Sequence, residues 1–181
     1  MTRWILPFLA FLVTAAGAWH ATIAVTTFGL MEAAVRRLSA RSGFNTMSYG
    51  SLATPDNQPI VRPSPDLAYS SCPYDLSNGP LLINYVPVVG RYSSLSVFDA
   101  RTDVVFVRND VQAGGQPIRL ILARDGQEVP DGIETVRVGY DRGTALVRLL
   151  LADPGEIAQF DSVRRQSNCA TIKGQDATSS R

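Results

Sequence analysis

Between Arg3 and Glu32 the chain carries no charge: Trp4 to Met31 is an uncharged run of 28 residues, most of them apolar. As a helix, that run would be about 42 Å long, more than the ~30 Å of a bilayer's hydrocarbon core requires. Pro7 falls in the first turn, where a missing N–H costs little, and Trp4 lies where an interfacial aromatic belongs. A cleaved signal peptide is the competing reading. Arg3 would be its basic region, Ile5–Val13 its apolar core, and Ala16-Gly17-Ala18 its small-residue cleavage site. The uncharged run continues for 13 residues past Ala18, however, an extension that a spanning helix needs and a signal does not. An uncleaved anchor is therefore the expectation. Leu30, Met31, Ala34, Val35 and Leu38 continue at helical spacing, and Gly43 is a natural stop. Arg3 on one side opposes Arg36, Arg37 and Arg41 on the other, so charge alone leaves the orientation open.

The rest of the chain carries 16 basic and 16 acidic residues. Such a balance has no basic excess with which to neutralise phosphates, which argues against a nucleic-acid partner. One long apolar run excludes a polytopic transporter, and the apolar content outside it is adequate for a folded core. The expected organisation is an anchor helix with its extension over 1–42, a folded domain over 43–173 and a polar tail over 174–181.

Within the domain the helical period disappears. Pro55, Pro59, Pro63 and Pro65 make residues 45–65 an extended linker or edge segment. Short apolar runs follow, separated by turn residues: Leu67–Tyr74, Leu81–Val86, Tyr92–Asp99, Val104–Arg108, Ile118–Ala123, Glu134–Tyr140 and Thr144–Leu151. Seven strands at this spacing suit a sandwich or barrel. Asn78-Gly79 between the first two runs predicts a hairpin, because both residues accept positive φ. Thr144–Leu151 is apolar on both faces apart from Arg148, which predicts a central strand. Asp153-Pro154-Gly155-Glu156 reads as the N-terminus of one short helix that buries Phe160.

Two cysteines, Cys72 and Cys169, are too few for a four-ligand zinc site, and the lone histidine, His20, lies in the apolar run. A disulfide in an oxidising compartment is favoured over two buried thiols, and with the export-type N-terminus it points to a domain facing the periplasm from the inner membrane.

The run Pro55-Asp56-Asn57-Gln58, Val61-Arg62-Pro63-Ser64-Pro65-Asp66, Tyr69-Ser70-Ser71, Tyr74-Asp75-Leu76-Ser77-Asn78-Gly79-Pro80, Gly90-Arg91-Tyr92 and Ser94-Leu95 resembles the bacterial family called domain of unknown function 1254. The resemblance implies a mainly β fold, a jelly-roll-like antiparallel β-sandwich, here preceded by one transmembrane helix and closed by one short helix. Larger members of that family carry a sister domain, domain of unknown function 1214, so the resemblance also implies a sister-domain protein as partner. It implies no reaction.

The motif residues still have a physical reading. Arg62 sits between prolines on a stiff extended segment, with Asp66 four residues on and on the same side. With Tyr69 and Tyr92 they could line a pocket for an acidic or hydroxylated ligand, and Arg91 is a further candidate from the same motif. The plainer and favoured alternative is an ion pair tying the segment to the sheet, with Asp75 ordering the Asn78-Gly79 turn. No phosphate loop, catalytic triad or metal-ligand spacing is present in the sequence, so no cofactor and no catalytic residue is assigned. The expected function is a membrane-anchored, non-enzymatic interaction domain; the alternative is a small-molecule-binding or hydrolytic envelope protein built on the Arg/Asp/Tyr pocket.

Overall fold

In the computed structural model, which describes residues 2–54, 56 and 63–172, the uncharged run and its extension form one unbroken helix, α1, Ile5–Ser42. Gly43 ends it in a positive-φ conformation (79°), its N–H donating to the Ser39 carbonyl. α1 is long and apolar enough to cross a membrane. From Arg3 to Phe28 every side chain but Thr27 is exposed, whereas Met31 and Val35 are buried against the domain.

The domain is a sandwich of two sheets. In chain order its elements are β1 (Ser48–Tyr49), β2 (Leu67–Asp75), β3 (Leu81–Tyr85), β4 (Ser93–Phe98), β5 (Val104–Asn109), β6 (Ile118–Ala123), β7 (Glu134–Arg137), β8 (Arg142–Leu150), α2 (Ile157–Arg164) and β9 (Asn168–Thr171). The five-stranded sheet has the order β1-β2-β8-β4-β5 and the four-stranded sheet β7-β6-β3-β9. Every pairing is antiparallel except β6 with β7. Period-two alternation sends Cys72, Tyr74, Leu95, Val97, Ala145 and Val147 inward, where they meet Leu81, Ile83, Leu120 and Leu122 from the other sheet. β8 is the middle of five strands, as its two apolar faces predict.

The expected hairpin between β2 and β3 is not formed. β2 pairs with β1 and β8, and β3 pairs with β6 and β9, so the Asn78-Gly79 turn carries the chain from one sheet to the other. Gly79 does have positive φ (133°), and a β-carbon there would sit 3.1 Å from the Ile172 carbonyl oxygen. A turn does form here, with Gly79 but not Asn78 at positive φ, and the strand partner is a long-range choice. Glu134–Tyr140 also pairs for only four residues, Glu134–Arg137.

Cys72 and Cys169 form a disulfide that joins β2 to β9, and hence one sheet to the other. At the open edge Arg108 of β5 holds Glu134 of β7 through two hydrogen bonds of 2.7 Å, a second link between the sheets. α2 follows a 3-10 turn, Pro154–Glu156, that Asp153 caps by accepting from the Gly155 N–H at 2.7 Å. Ile157, Phe160 and Val163 pack on Ala68, Leu149 and Leu151, as the expected burial of Phe160 requires.

Candidate functional site

β2 sets the geometry of the motif residues. Because Cys72 and Tyr74 point into the core, Leu67, Tyr69 and Ser71 point outward. Tyr69 pairs in register with Arg148 of β8, which pairs with Ser94 of β4, which pairs with Asn109 of β5. The row above it joins Leu67 to Leu150, and the Tyr92 carbonyl accepts from the Leu150 N–H at 2.9 Å. Tyr69 and Tyr92 thus flank one outer face, with Arg148 between them. Leu150, Tyr92 and Val107 on this face are 43%, 48% and 56% exposed. Below it, α1 covers the sheet, leaving a groove of about 310 Å3 lined by Leu38, Arg41, Tyr49, Tyr69, Ser71 and Leu146.

Arg148 donates from Nη2 to the Ser96 hydroxyl at 2.8 Å. Its Nε and the Ser94 hydroxyl are buried without a hydrogen-bond partner among the described residues. A guanidinium with donor capacity left over is suited to a carboxylate or phosphate, which it can bind with charge-assisted bonds.

The other motif residues have local tasks. The Tyr69 hydroxyl accepts from the Ser64 N–H at 3.1 Å, and its carbonyl accepts from Gly50 at 2.9 Å, so one residue pins two flanking segments. Asp66 is exposed, and its carbonyl accepts from the Leu151 N–H at 2.9 Å. Arg91 is ion-paired to Glu156 at the start of α2, and its guanidinium lies 5.6 Å over the Phe160 ring. The Glu156 carboxyl is held below its usual range by that arginine and by the Ala152 N–H. Asp66, Tyr69, Arg91 and Tyr92 therefore gather around the end of β8. Asp75 does not join them, since it lies at the other end of β2, six residues and so roughly 20 Å from Tyr69 at ~3.3 Å per residue. Arg62 lies outside the described residues.

Asp75 instead fastens the turn beside α1. It accepts from the Ser77 N–H at 3.0 Å and from Arg142 Nε at 2.8 Å, and Arg142 is also 3.7 Å from Glu32 of α1. Burial pushes the Asp75 carboxyl up, but the bonds from Ser77 and Arg142 outweigh it and hold the group below its usual range. The sequence reading missed a second network. Arg164 on α2, 4% exposed, donates to the carbonyls of Gly50 (3.0 Å) and Tyr69 (3.2 Å) and to Asp161. Asp161, in turn, is held low by Arg165 and Arg164.

Both carboxylates favour the fold while ionised. Their contribution is complete above the unfolded value of 3.8 and is lost as pH falls through the lower folded values. The urea midpoint should therefore drop below about pH 4. Asp75→Asn should lower the midpoint at pH 7 and flatten that acid limb; an unchanged limb would show that Asp75 does not contribute to it.

Among the described residues no three His, Cys, Asp or Glu side chains converge as metal ligands. The exposed face offers recognition chemistry: a cation, two phenols and aliphatic surface.

No curated protein matches the chain. Among solved structures, the VPA0106 protein from Vibrio parahaemolyticus superposes with a TM-score of 0.54 at 19% identity, over 60% of this chain and 28% of that one. An uncharacterized protein from Burkholderia cenocepacia gives a TM-score of 0.48 at 16% identity, over 90% of this chain and 43% of that one. The chain thus matches less than half the length of either. The first likeness concerns fold alone. The family described as Protein of unknown function (DUF1254) matches residues 44–171, which include β2 to β9 and the whole Tyr69–Arg148–Tyr92 face, and it is to this family that the chain belongs.

Proposed function

We propose that this protein is a membrane-tethered interaction module whose sandwich faces the periplasm and binds a second envelope protein, one carrying the sister domain of unknown function 1214. The observation that carries the partner reading is Arg148, half-buried on the outer sheet face between Tyr69 and Tyr92, with its Nε left without a hydrogen-bond partner among the described residues. Leaving such a donor unsatisfied costs about 1–3 kcal/mol, which an acidic group on a partner would offset once the Arg148 side chain turns outward to meet it. Tyrosine and arginine amid aliphatic surface is also the composition of interface hot spots. The disulfide supports an oxidising compartment. The anchor reading is supported by Trp19, Ile23 and Val25, exposed apolar residues past Ala18 that a bilayer would cover and cleavage after Ala18 would leave in water.

A test is co-expression of the full chain with a sister-domain protein, followed by co-purification in mild detergent. The two should elute together, and Arg148→Ala should weaken binding tenfold or more, about 1.4 kcal/mol or above. Separate elution, or an Arg148→Ala variant that binds like the parent, would overturn the partner reading. Alkaline phosphatase fused at the C-terminus should be active in cells; an inactive fusion would reverse the assigned orientation.

A further inference from the structure

α1 passes from its bare stretch into the domain without a linker. The Phe28 ring packs edge-on against Tyr140, with centroids 5.3 Å apart and planes at 79°. One turn later Glu32 lies 3.7 Å from Arg142, and Met31 and Val35 are buried. The helix is continuous over this boundary, so the depth of Phe28 sets the depth of Tyr140.

That depth follows from helix rise. Counting ~20 residues of hydrocarbon span from Ile5 brings the far boundary to Ala24–Val25. Phe28 is three or four residues further, about 5 Å at 1.5 Å per residue. The headgroup layer on each side is roughly 5–8 Å thick, so Phe28 and Tyr140 fall within it. Tyrosine is suited to this depth, its ring apolar and its hydroxyl wet. Behind it stand Arg142 and Arg124, the latter 3.4 Å from Asp141 and donating to the Gly139 carbonyl.

We propose that the corner between β7 and β8, with Tyr140 at its tip, is embedded in the phospholipid headgroup layer, so that the lipid surface is a direct partner of the domain. The inference rests on α1 being an uncleaved span. Its consequence is a fixed orientation. β8 runs from Arg142 at this corner to Arg148, six residues on and so roughly 20 Å along the strand. The Tyr69–Arg148–Tyr92 face is then held in the aqueous phase, presented away from the bilayer.

The test uses the full chain in vesicles of phosphatidylethanolamine and phosphatidylglycerol that contain lipids brominated high on the acyl chain, a short-range quencher of tryptophan. Trp4 and Trp19 are the native tryptophans. With both changed to Phe, Tyr140→Trp should lose most of its emission to the brominated lipid. Val111→Trp in the same background should lose none, because Val111 is 77% exposed and follows Asn109, which is in register with Ser94 at the Arg148 level. Asp141→Trp is a second reporter for the corner should Tyr140→Trp not fold. A separate Trp4→Phe protein keeps Trp19 as a reporter of the span. Quenching of Trp19 with none at the corner would overturn this inference and leave the span intact. No quenching of Trp19 would overturn the span itself, and this inference with it. Quenching of both Tyr140→Trp and Val111→Trp would mean a sandwich lying flat on the membrane, which also overturns the orientation.

Discussion

Loss of the Cys72–Cys169 bond is expected to destabilise the domain by about 4 kcal/mol. The bond closes a loop of 97 residues, from the second strand of the domain to its last. In the chain-entropy account, a loop of that size restricts the unfolded ensemble by ~4–5 kcal/mol. Against a typical total of about 5–15 kcal/mol, this is a large share. Position adds to the effect. β9 has four residues and one ladder, to β3, so the bond to β2 is its link to the opposite sheet's core. When it is cut, β9 is free to fray. The bond from Asn45 to the Thr171 hydroxyl, 2.7 Å, is then exposed to water, and with it the anchorage of the segment leaving α1. Unfolding in detergent should show a melting temperature lower by roughly 10–20 °C in reductant or in a Cys72→Ala/Cys169→Ala variant. Equal melting of oxidised and reduced protein would refute the assigned contribution. The reduced domain should accordingly be much less stable than the oxidised one.

How much of this was legible in the sequence depended on the range of the interaction concerned. Ile118–Ala123 was identified to the residue, and β4 and β8 nearly so, because short apolar runs bounded by turn residues mark buried strands in the sequence. β1 and β9 were not, since two and four residues of polar composition carry no period. Asn78-Gly79 announced a turn correctly, but whether the next strand pairs with the last or crosses to the other sheet depends on what already occupies the edges of β2. The helical stripe beyond the span was also only partly legible: Met31 and Val35 are buried as their spacing suggests, yet Leu30 in the same stripe is 63% exposed. Of the site, Tyr69 and Tyr92 came from a motif and share a face, while Asp75 came from the same motif and lies at the far end of its strand. Arg148 was visible as the single charge in an apolar strand, without its partners. Arg164 was invisible, because two adjacent arginines on a short helix look like a solvated surface until the carbonyls of Gly50 and Tyr69 are brought to one of them.

Gly143→Ala is expected to cost about 3–4 kcal/mol, although Gly143 has negative φ and no special backbone need for glycine. The reason is space. Gly143 begins the inward face of β8, in register with Tyr74 of β2. A β-carbon there would collide with the Phe98 carbonyl oxygen and the Tyr74 hydroxyl, and would sit 2.6 Å from Tyr74 Cζ. Neither obstacle can yield easily. The carbonyl is backbone of β4, held in the ladder to β8, and the Tyr74 ring is fully buried. The Tyr74 hydroxyl donates to that same carbonyl at 3.0 Å, and burial, with Asp99 nearby, pushes its ionisation far above the usual tyrosine range. Making room therefore means either opening the β4–β8 ladder or swinging a buried phenol off its acceptor. Overpacking of this kind costs about 1–3 kcal/mol and a buried unpaired hydroxyl a similar amount. Gly139→Ala is the control: nothing lies within 4 Å of its would-be β-carbon, and it should stay within about 0.5 kcal/mol of the parent. Adding Tyr74→Phe to Gly143→Ala separates the two obstacles. Removing the hydroxyl relieves one collision and leaves the carbonyl, so the double variant should recover part of the loss, with a favourable coupling of about 1 kcal/mol or more. Urea midpoints of the four proteins complete that cycle. A Gly143→Ala midpoint equal to that of Gly139→Ala would mean that β4 and β8 sit further apart than the register requires.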